Sequence, residues 1–111
     1  MTAEISVEFC GVKMRNPTVL ASGILGTSAA ILKRVYHEGR AGAVITKSIG
    51  PIERNGWNNP TVVTFDAGML NAVGLPSQGI ENSKKELEEL RDSKIEWFAS
   101  IYAGSVDEFV S

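Results

Sequence analysis

Residues 18–49 read TVLASGILGTSAAILKRVYHEGRAGAVITKSI, and the order of their apolar runs decides the fold. Thr18 to Ala21 is a short apolar run of the kind that makes a strand buried on both faces, and Ser22-Gly23 ends it. Thr27 and Ser28 are candidate N-caps. Ile31, Leu32, Val35 and Tyr36 then follow at helical spacing, and Gly39 is a stop, which predicts one helix of about three turns. After Gly42, Ala43 to Ile49 (AVITKSI) is β-branched and apolar except where Lys47 and Ser48 interrupt it, a second buried strand. Strand, helix and strand joined by short links require parallel pairing and a right-handed crossover, because a hairpin cannot join parallel strands. An α/β architecture follows.

Upstream, Ile5, Val7 and Phe9 alternate with Ser6 and Glu8, which predicts a half-buried strand. It turns at Cys10-Gly11 and returns through Val12 and Met14 as an N-terminal β-hairpin. Downstream, Gly50 to Gly79 is a long stretch rich in Pro, Gly and Asn, interrupted by the strand-like Val62 to Phe65. A loop of that length in a domain is usually functional. Ser83-Lys84-Lys85-Glu86 fits the capping box, and Leu87 and Leu90 continue it as an amphipathic helix ending near Asp92. Lys94 to Tyr102 (KIEWFASIY) supplies a third strand, and Ser105-Val106-Asp107-Glu108 repeats the capping-box pattern before Phe109 and Val110. A capped first turn at the chain's last residues reads as the start of a helix. The expectation is therefore about three βα units forming the N-terminal portion, 1–111, of a longer α/β domain.

The chain has 111 residues, of which 43% are apolar, enough for one domain with a modest core. Eleven Gly and 4 Pro are near average usage, so collagen-like and disordered readings are excluded. Eleven Lys and Arg against 13 Asp and Glu leave a formal charge of −2, with no electrostatic attraction to nucleic acid or an anionic membrane. The single Cys10 excludes an internal disulfide and a cysteine-built zinc cage, and its plain reading is a small buried hydrophobe. Met1 to Phe9 lacks the basic and apolar segments of a signal peptide, and no run approaches the roughly 18 residues of a membrane span. A soluble cytoplasmic protein is expected.

In parallel α/β folds ligands sit beyond the carboxyl ends of the strands. Ser22-Gly23 ends the first strand, where small residues and free backbone N–H groups let a planar or phosphorylated ligand approach, or simply make a tight turn. Lys47-Ser48 ends the second. A lysine there needs an anionic partner, whether a bound ligand or a carboxylate of the fold. Ile101 to Gly104, at the third end, displays little chemistry. In the long loop, Leu70-Asn71-Ala72-Val73-Gly74-Leu75-Pro76 places an amide side chain before successive backbone donors that suit a carboxylate or an imide ring. Gly23-Ile24-Leu25-Gly26 lacks the Gly-Lys-Ser/Thr ending of a P-loop, and no Gly-x-Gly-x-x-Gly occurs. His37 sits in the last turn of the first helix, a surface or capping position favoured by the helix dipole. Trp57 and Trp97 have no basic cluster to make a stacking platform.

Thr18 to Gly23, Gly42 to Ile49, Gly56 to Pro60 and Leu70 to Leu75, in this order and spacing, resemble the N-terminal part of class 1 dihydroorotate dehydrogenases, above all the class 1B form. The Lys47-Ser48 and Asn71 to Leu75 motifs are the specific ones. The resemblance implies an FMN-containing (β/α)8 TIM barrel that oxidises dihydroorotate to orotate in pyrimidine biosynthesis. Carried over by position, Ser22, Gly23, Lys47 and Ser48 would bind FMN. Lys47 would also pair with the orotate carboxylate, and Asn71, Ala72, Val73, Gly74 and Leu75 would bind the substrate. Class 1B further implies a catalytic subunit that dimerises and a partner iron–sulfur flavoprotein subunit that passes electrons to NAD.

The family pattern carries an Asn shortly after Leu75, where this chain has Pro76-Ser77-Gln78-Gly79. A complete barrel of this type takes about 250 residues. The family's cysteine base lies on a later loop, and Cys10, in the hairpin, does not correspond to it. No catalytic residue is therefore expected in this chain, and the 111 residues are expected to be inactive alone. Two alternatives stand beside this reading: a related flavin barrel such as a dihydropyrimidine dehydrogenase, and a small α/β binding module that covers its sheet edges by self-association.

Overall fold

The computed structural model describes residues 3–110. Met1 and Thr2, at the start of the stretch read as lacking a signal peptide, and Ser111, at the end of the expected N-terminal portion, lie outside the described residues. Strands β1 (Val7–Phe9) and β2 (Val12–Met14) pair antiparallel as the expected hairpin, with Phe9 opposite Val12. Cys10 adopts φ 50° beside Gly11 at φ 79°, so two left-handed residues make the turn. Cys10 is exposed at that turn, which corrects its reading as a buried hydrophobe. The strand read as half-buried is also exposed, Val7 at 37% and Phe9 at 58%.

The first βα unit forms as the alternation of its apolar runs dictates. Strand β3 (Val19–Leu20) leads through a 3-10 turn at Ile24–Gly26 to helix α1 (Ala29–His37), and β4 (Ala43–Ile45) returns parallel to β3. Ser28 caps α1, its Oγ accepting the Ile31 N–H at 3.3 Å. Beyond Gly39 the left-handed position falls on Arg40, at φ 58°. The long loop carries more structure than its composition suggests. Strand β5 (Glu53–Arg54) pairs with the later β8 (Ser77–Gln78), and β6 (Val62–Phe65) forms an antiparallel hairpin with β7 (Gly68–Asn71).

Helix α2 (Gly79–Asp92) begins four residues before the expected capping box. Ser83 lies buried inside it, donating from Oγ to the Gly79 carbonyl at 2.8 Å, while the Glu86 carboxylate accepts the Ala29 N–H at the start of α1. Ser83 thus bonds within α2 and Glu86 ties α2 to α1, and neither starts the helix. Strand β9 (Trp97–Phe98) follows, and α3 (Val106–Val110) starts at the second capping box, where Ser105 Oγ accepts the Glu108 N–H at 3.3 Å.

The parallel sheet has the order β3-β4-β9 and is open, with β4 in the centre. Val44 and Thr46, two apart, point to the helix side. There Val44 packs with Ala29, Leu32, Leu90 and Ile95 in the core, and Leu20, Val35, Tyr36 and Trp97 lean against it. On the opposite face Phe98 meets Phe9 of the first hairpin edge-to-face, with ring centroids 6.1 Å apart. The central strand is the most buried of the three, with Ala43 and Val44 inaccessible and Ile45 half-buried. Val19, read as buried on both faces, is 40% exposed, because β3 lies at an edge of this sheet. The architecture is α/β with an N-terminal hairpin and three parallel strands, as the sequence implies.

Close backbone approach sets the start of β4. A Cβ on Gly42 would stand 2.0 Å from the Asn16 carbonyl oxygen, and the Gly42 N–H donates to Thr18 O at 2.9 Å. Gly42→Ala is expected to destabilise the protein by about 1–3 kcal/mol in denaturant unfolding. Gly68→Ala is the control, since its added Cβ would meet only the Phe65 ring at 3.6 Å and should change little. Leu32, 1% exposed in the core, should cost about 2–5 kcal/mol on replacement by Ala, read as a lowered unfolding midpoint.

Candidate active-site cleft

The three parallel strands end on the same side, and their following residues meet. Ser22, just past β3, places its Oγ 3.2 Å from Ser48 Oγ, past β4. Ser48 Oγ lies in turn 2.8 Å from Ser100 Oγ, past β9. The Ser100 N–H donates to the buried Thr46 hydroxyl at 3.0 Å, which anchors this hydroxyl chain to the central strand. A parallel sheet makes such a chain natural, because the residues that follow neighbouring strands leave the sheet on the same side.

Lys47 is held by its own backbone, donating from N–H to the Gly26 carbonyl at 2.8 Å. A Cβ at Gly26 would lie 2.3 Å from Lys47 N, so only glycine permits that approach. The strand-end residues Ser22, Gly23, Lys47 and Ser48 face the loop residues Asn71, Ala72, Val73, Gly74 and Leu75 across a cleft of about 640 Å³. Ile24, Val62 and Met69 complete it. Every residue singled out from the sequence as a site candidate therefore lines one cleft. Lys47 is the one residue with a formal charge among the described residues that line it, which makes the cleft suited to an anion.

Asn71 is not in a loop. It ends strand β7 and pairs with Val62, which holds it over the strand ends. Beyond it the chain is tied down from outside the cleft: the Val73 carbonyl accepts the Trp57 N–H at 3.0 Å, Gly74 O accepts from Arg54 Nε at 2.7 Å, and Leu75 O accepts from Tyr102 OH at 3.1 Å. Gly74 at φ 80° lies against the Trp57 ring, where a Cβ would stand 2.4 Å from the indole.

Sequence reasoning passed over Ser100 and Tyr102, although both lie at the third strand end, where the strand-end rule points. Trp57 and Arg54 carried no local signal, because their contacts depend on the β5–β8 pairing. His37 is exposed at the far end of α1, its ring edge-to-face with Tyr36 at 5.3 Å, in keeping with a surface position. The charged pairs also lie away from the cleft. A hydrogen bond from Arg91, aided by its charge, holds the Asp92 carboxyl below its usual range at the end of α2.

A second, smaller cavity of about 340 Å³ opens between α1 and α2, lined by Leu32, Leu87 and Leu90 with Thr46, Glu86 and Lys47. The candidate residues apart from Lys47 all line the first cleft instead. Among the described residues no group of three or more His, Cys, Asp or Glu is placed to hold a metal ion. No helix among them is long and apolar enough to cross a membrane.

Comparison with known proteins agrees with this geometry. The chain matches the family model described as Dihydroorotate dehydrogenase over residues 4–111. It is similar to the catalytic subunit of dihydroorotate dehydrogenase B (NAD(+)) of Methanosarcina acetivorans, at 47% identity over 89% of this chain and 32% of that protein. The equivalent subunits of Methanosarcina mazei (48% identity, 89% of this chain, 32% of that protein) and Methanothermobacter thermautotrophicus (41%, 96% and 35%) are likewise similar. The chain thus spans about a third of the length of these relatives. In fold it resembles ligand-free DHODH from Eimeria tenella, with a TM-score of 0.77 at 24% identity, covering 95% of this chain and 32% of that one. From the parallel strands, the cleft at their ends and this match along nearly its whole length, the chain belongs to the dihydroorotate dehydrogenase family.

Proposed function

We propose that this chain forms the flavin-facing and substrate-binding part of an enzyme that oxidises dihydroorotate to orotate in pyrimidine biosynthesis. The observation that carries the reading is the cleft itself: one lysine, two serine hydroxyls and an Asn-led glycine loop converge where a parallel sheet presents ligands. In this reading the three parallel strands are the first of a (β/α)8 barrel, and residues 1–111 are the N-terminal portion of one FMN-dependent domain.

The residues present fit a flat, anionic flavin and substrate pair. At Gly23 a Cβ would find only the Ala21 carbonyl oxygen, 4.0 Å away, so the glycine leaves open space on the cleft side of the strand end. Ser22, Gly23, Lys47 and Ser48 would hold FMN there; bound FMN supplies the acceptor for the hydride leaving dihydroorotate. The Lys47 ammonium attracts negative charge on the ring system and pairs with the orotate carboxylate. Asn71 hydrogen-bonds the substrate through its side-chain amide, and Ala72 to Leu75 close over it with backbone groups. The Ser22–Ser48–Ser100 chain orients the two hydroxyls that face the cofactor. No residue of this chain is assigned as the base. The proton acceptor is expected outside these 111 residues, which are proposed to be inactive alone.

The relatives' description as catalytic subunits of an NAD(+) enzyme supports an electron-transfer partner, here read as an iron–sulfur flavoprotein subunit; a homodimer of the catalytic chain is proposed with it. A cytoplasmic setting goes with this reading.

Lys47→Ala in the full-length protein that carries this segment should weaken orotate binding by about 10- to 100-fold, the loss of one charged hydrogen bond, in a flavin absorbance titration. Unchanged orotate affinity would sink the proposal. Gly23→Val should fold with the parent's midpoint, since extended backbone suits any residue and the space is open. Its purified protein should nevertheless carry much less FMN, and full retention would remove Gly23 from the cofactor site.

A further inference from the structure

We propose that Tyr102 is a positioning residue that holds the Asn71–Leu75 segment in the shape that binds substrate. The inference rests on the substrate role given to that segment above. It starts from three consecutive carbonyls, Val73, Gly74 and Leu75, which accept hydrogen bonds from the Trp57 N–H, Arg54 Nε and Tyr102 OH. None of these three donor residues lines the cleft, whereas all three acceptors do.

A trans peptide is planar, with C=O and N–H on opposite sides. Carbonyls of Val73 and Gly74 drawn outward therefore turn the N–H groups of Gly74 and Leu75 toward the cleft, in which Lys47 also stands. The third tie acts differently. The Leu75 carbonyl belongs to the peptide with Pro76, which has no N–H to present. Its hydrogen bond instead fixes Leu75, which sits at φ 53° directly after Gly74 at φ 80°. A leucine side chain disfavours that left-handed conformation. The tie from Tyr102 is what the fold supplies to keep it there.

Tyr102 is itself well placed. Its N–H donates to Ile49 O at 3.0 Å, extending the parallel sheet at the Ile49–Ile101 bridge. Its ring lies on Gly50, where a Cβ would stand 2.5 Å from Cζ. The phenol thus carries the rigidity of the sheet, between β4 and β9, to the exit of the substrate segment. Of the three ties, the one from Trp57 is backbone and the one from Arg54 comes from an exposed, flexible side chain. The tie from Tyr102 can be removed by deleting one oxygen.

The test is Tyr102→Phe in the full-length, FMN-loaded enzyme, read by orotate titration of the flavin spectrum and by steady-state kinetics. Orotate Kd and dihydroorotate KM should rise about three- to tenfold, the loss of one neutral hydrogen bond. The value of kcat, the FMN content and the melting midpoint should stay close to the parent's. Gly50→Ala, which displaces the ring and keeps the oxygen, should reproduce the weaker binding. Unchanged orotate affinity in either variant overturns the inference while leaving the function standing. So does an affinity loss matched by loss of FMN or of melting midpoint, which would make Tyr102 merely structural. A parent enzyme that binds no orotate overturns the proposed function and this inference together.

Discussion

The pairing of Ala43–Ile45 in parallel with Val19–Leu20 on one side and with Trp97–Phe98 on the other is the constraint on which the remaining structure depends. It buries Val44 completely and obliges both flanking connections to cross one face of the sheet, where α1 and α2 supply Leu32 and Leu90 to the same core. It also brings three strand ends to one side. The close approaches at Gly42 and Gly26 exist because this central strand is squeezed at both ends, by the Asn16 carbonyl at its start and by the turn before α1 beyond its end.

The chemistry of the cleft is a consequence of that alignment. Three serines that follow separate strands form a hydroxyl chain because the parallel strands end on the same side of the sheet. Thr46, pointing to the buried side, secures the chain without leaving a polar group unsatisfied. The segment Ala72 to Leu75 has no such rigid strand of its own beyond Asn71. It borrows rigidity from outside, through hydrogen bonds to three successive carbonyls, and two left-handed residues are held in place by those ties.

Much of this was legible in the residues. The alternation before Cys10-Gly11 announced the hairpin, and the helical spacing from Ile31 to Tyr36 with Ser28 before it announced α1 and its cap. The Lys47-Ser48 and Asn71–Leu75 motifs were identifiable as a pair, and the cleft brings them together. Other elements followed rules that no local pattern reveals. Ser83 and Glu86 have the spacing of a cap, yet the helix starts at Gly79, whose φ of 77° and contact with β5 set its entry. Glu86 serves α1 instead, across 57 positions of sequence. The second capping box, from Ser105, does start its helix, its hydroxyl accepting the Glu108 N–H.

The sequence by itself determined the class of fold, the parallel direction of the sheet and the identity of the residues at two strand ends. These follow from short-range periodicity and from the inability of a short link to join parallel strands. Tertiary structure alone decided that β3 would be partly exposed, that Cys10 would sit in an open turn and that the long segment would fold into two antiparallel pairs. It alone brought Ser100 to Ser48 and Tyr102 to Leu75. The reason is physical: a strand's burial depends on which neighbours it gains. A hydroxyl's partner likewise depends on which distant strand is laid beside it, and neither is written in the residues next to it in the chain.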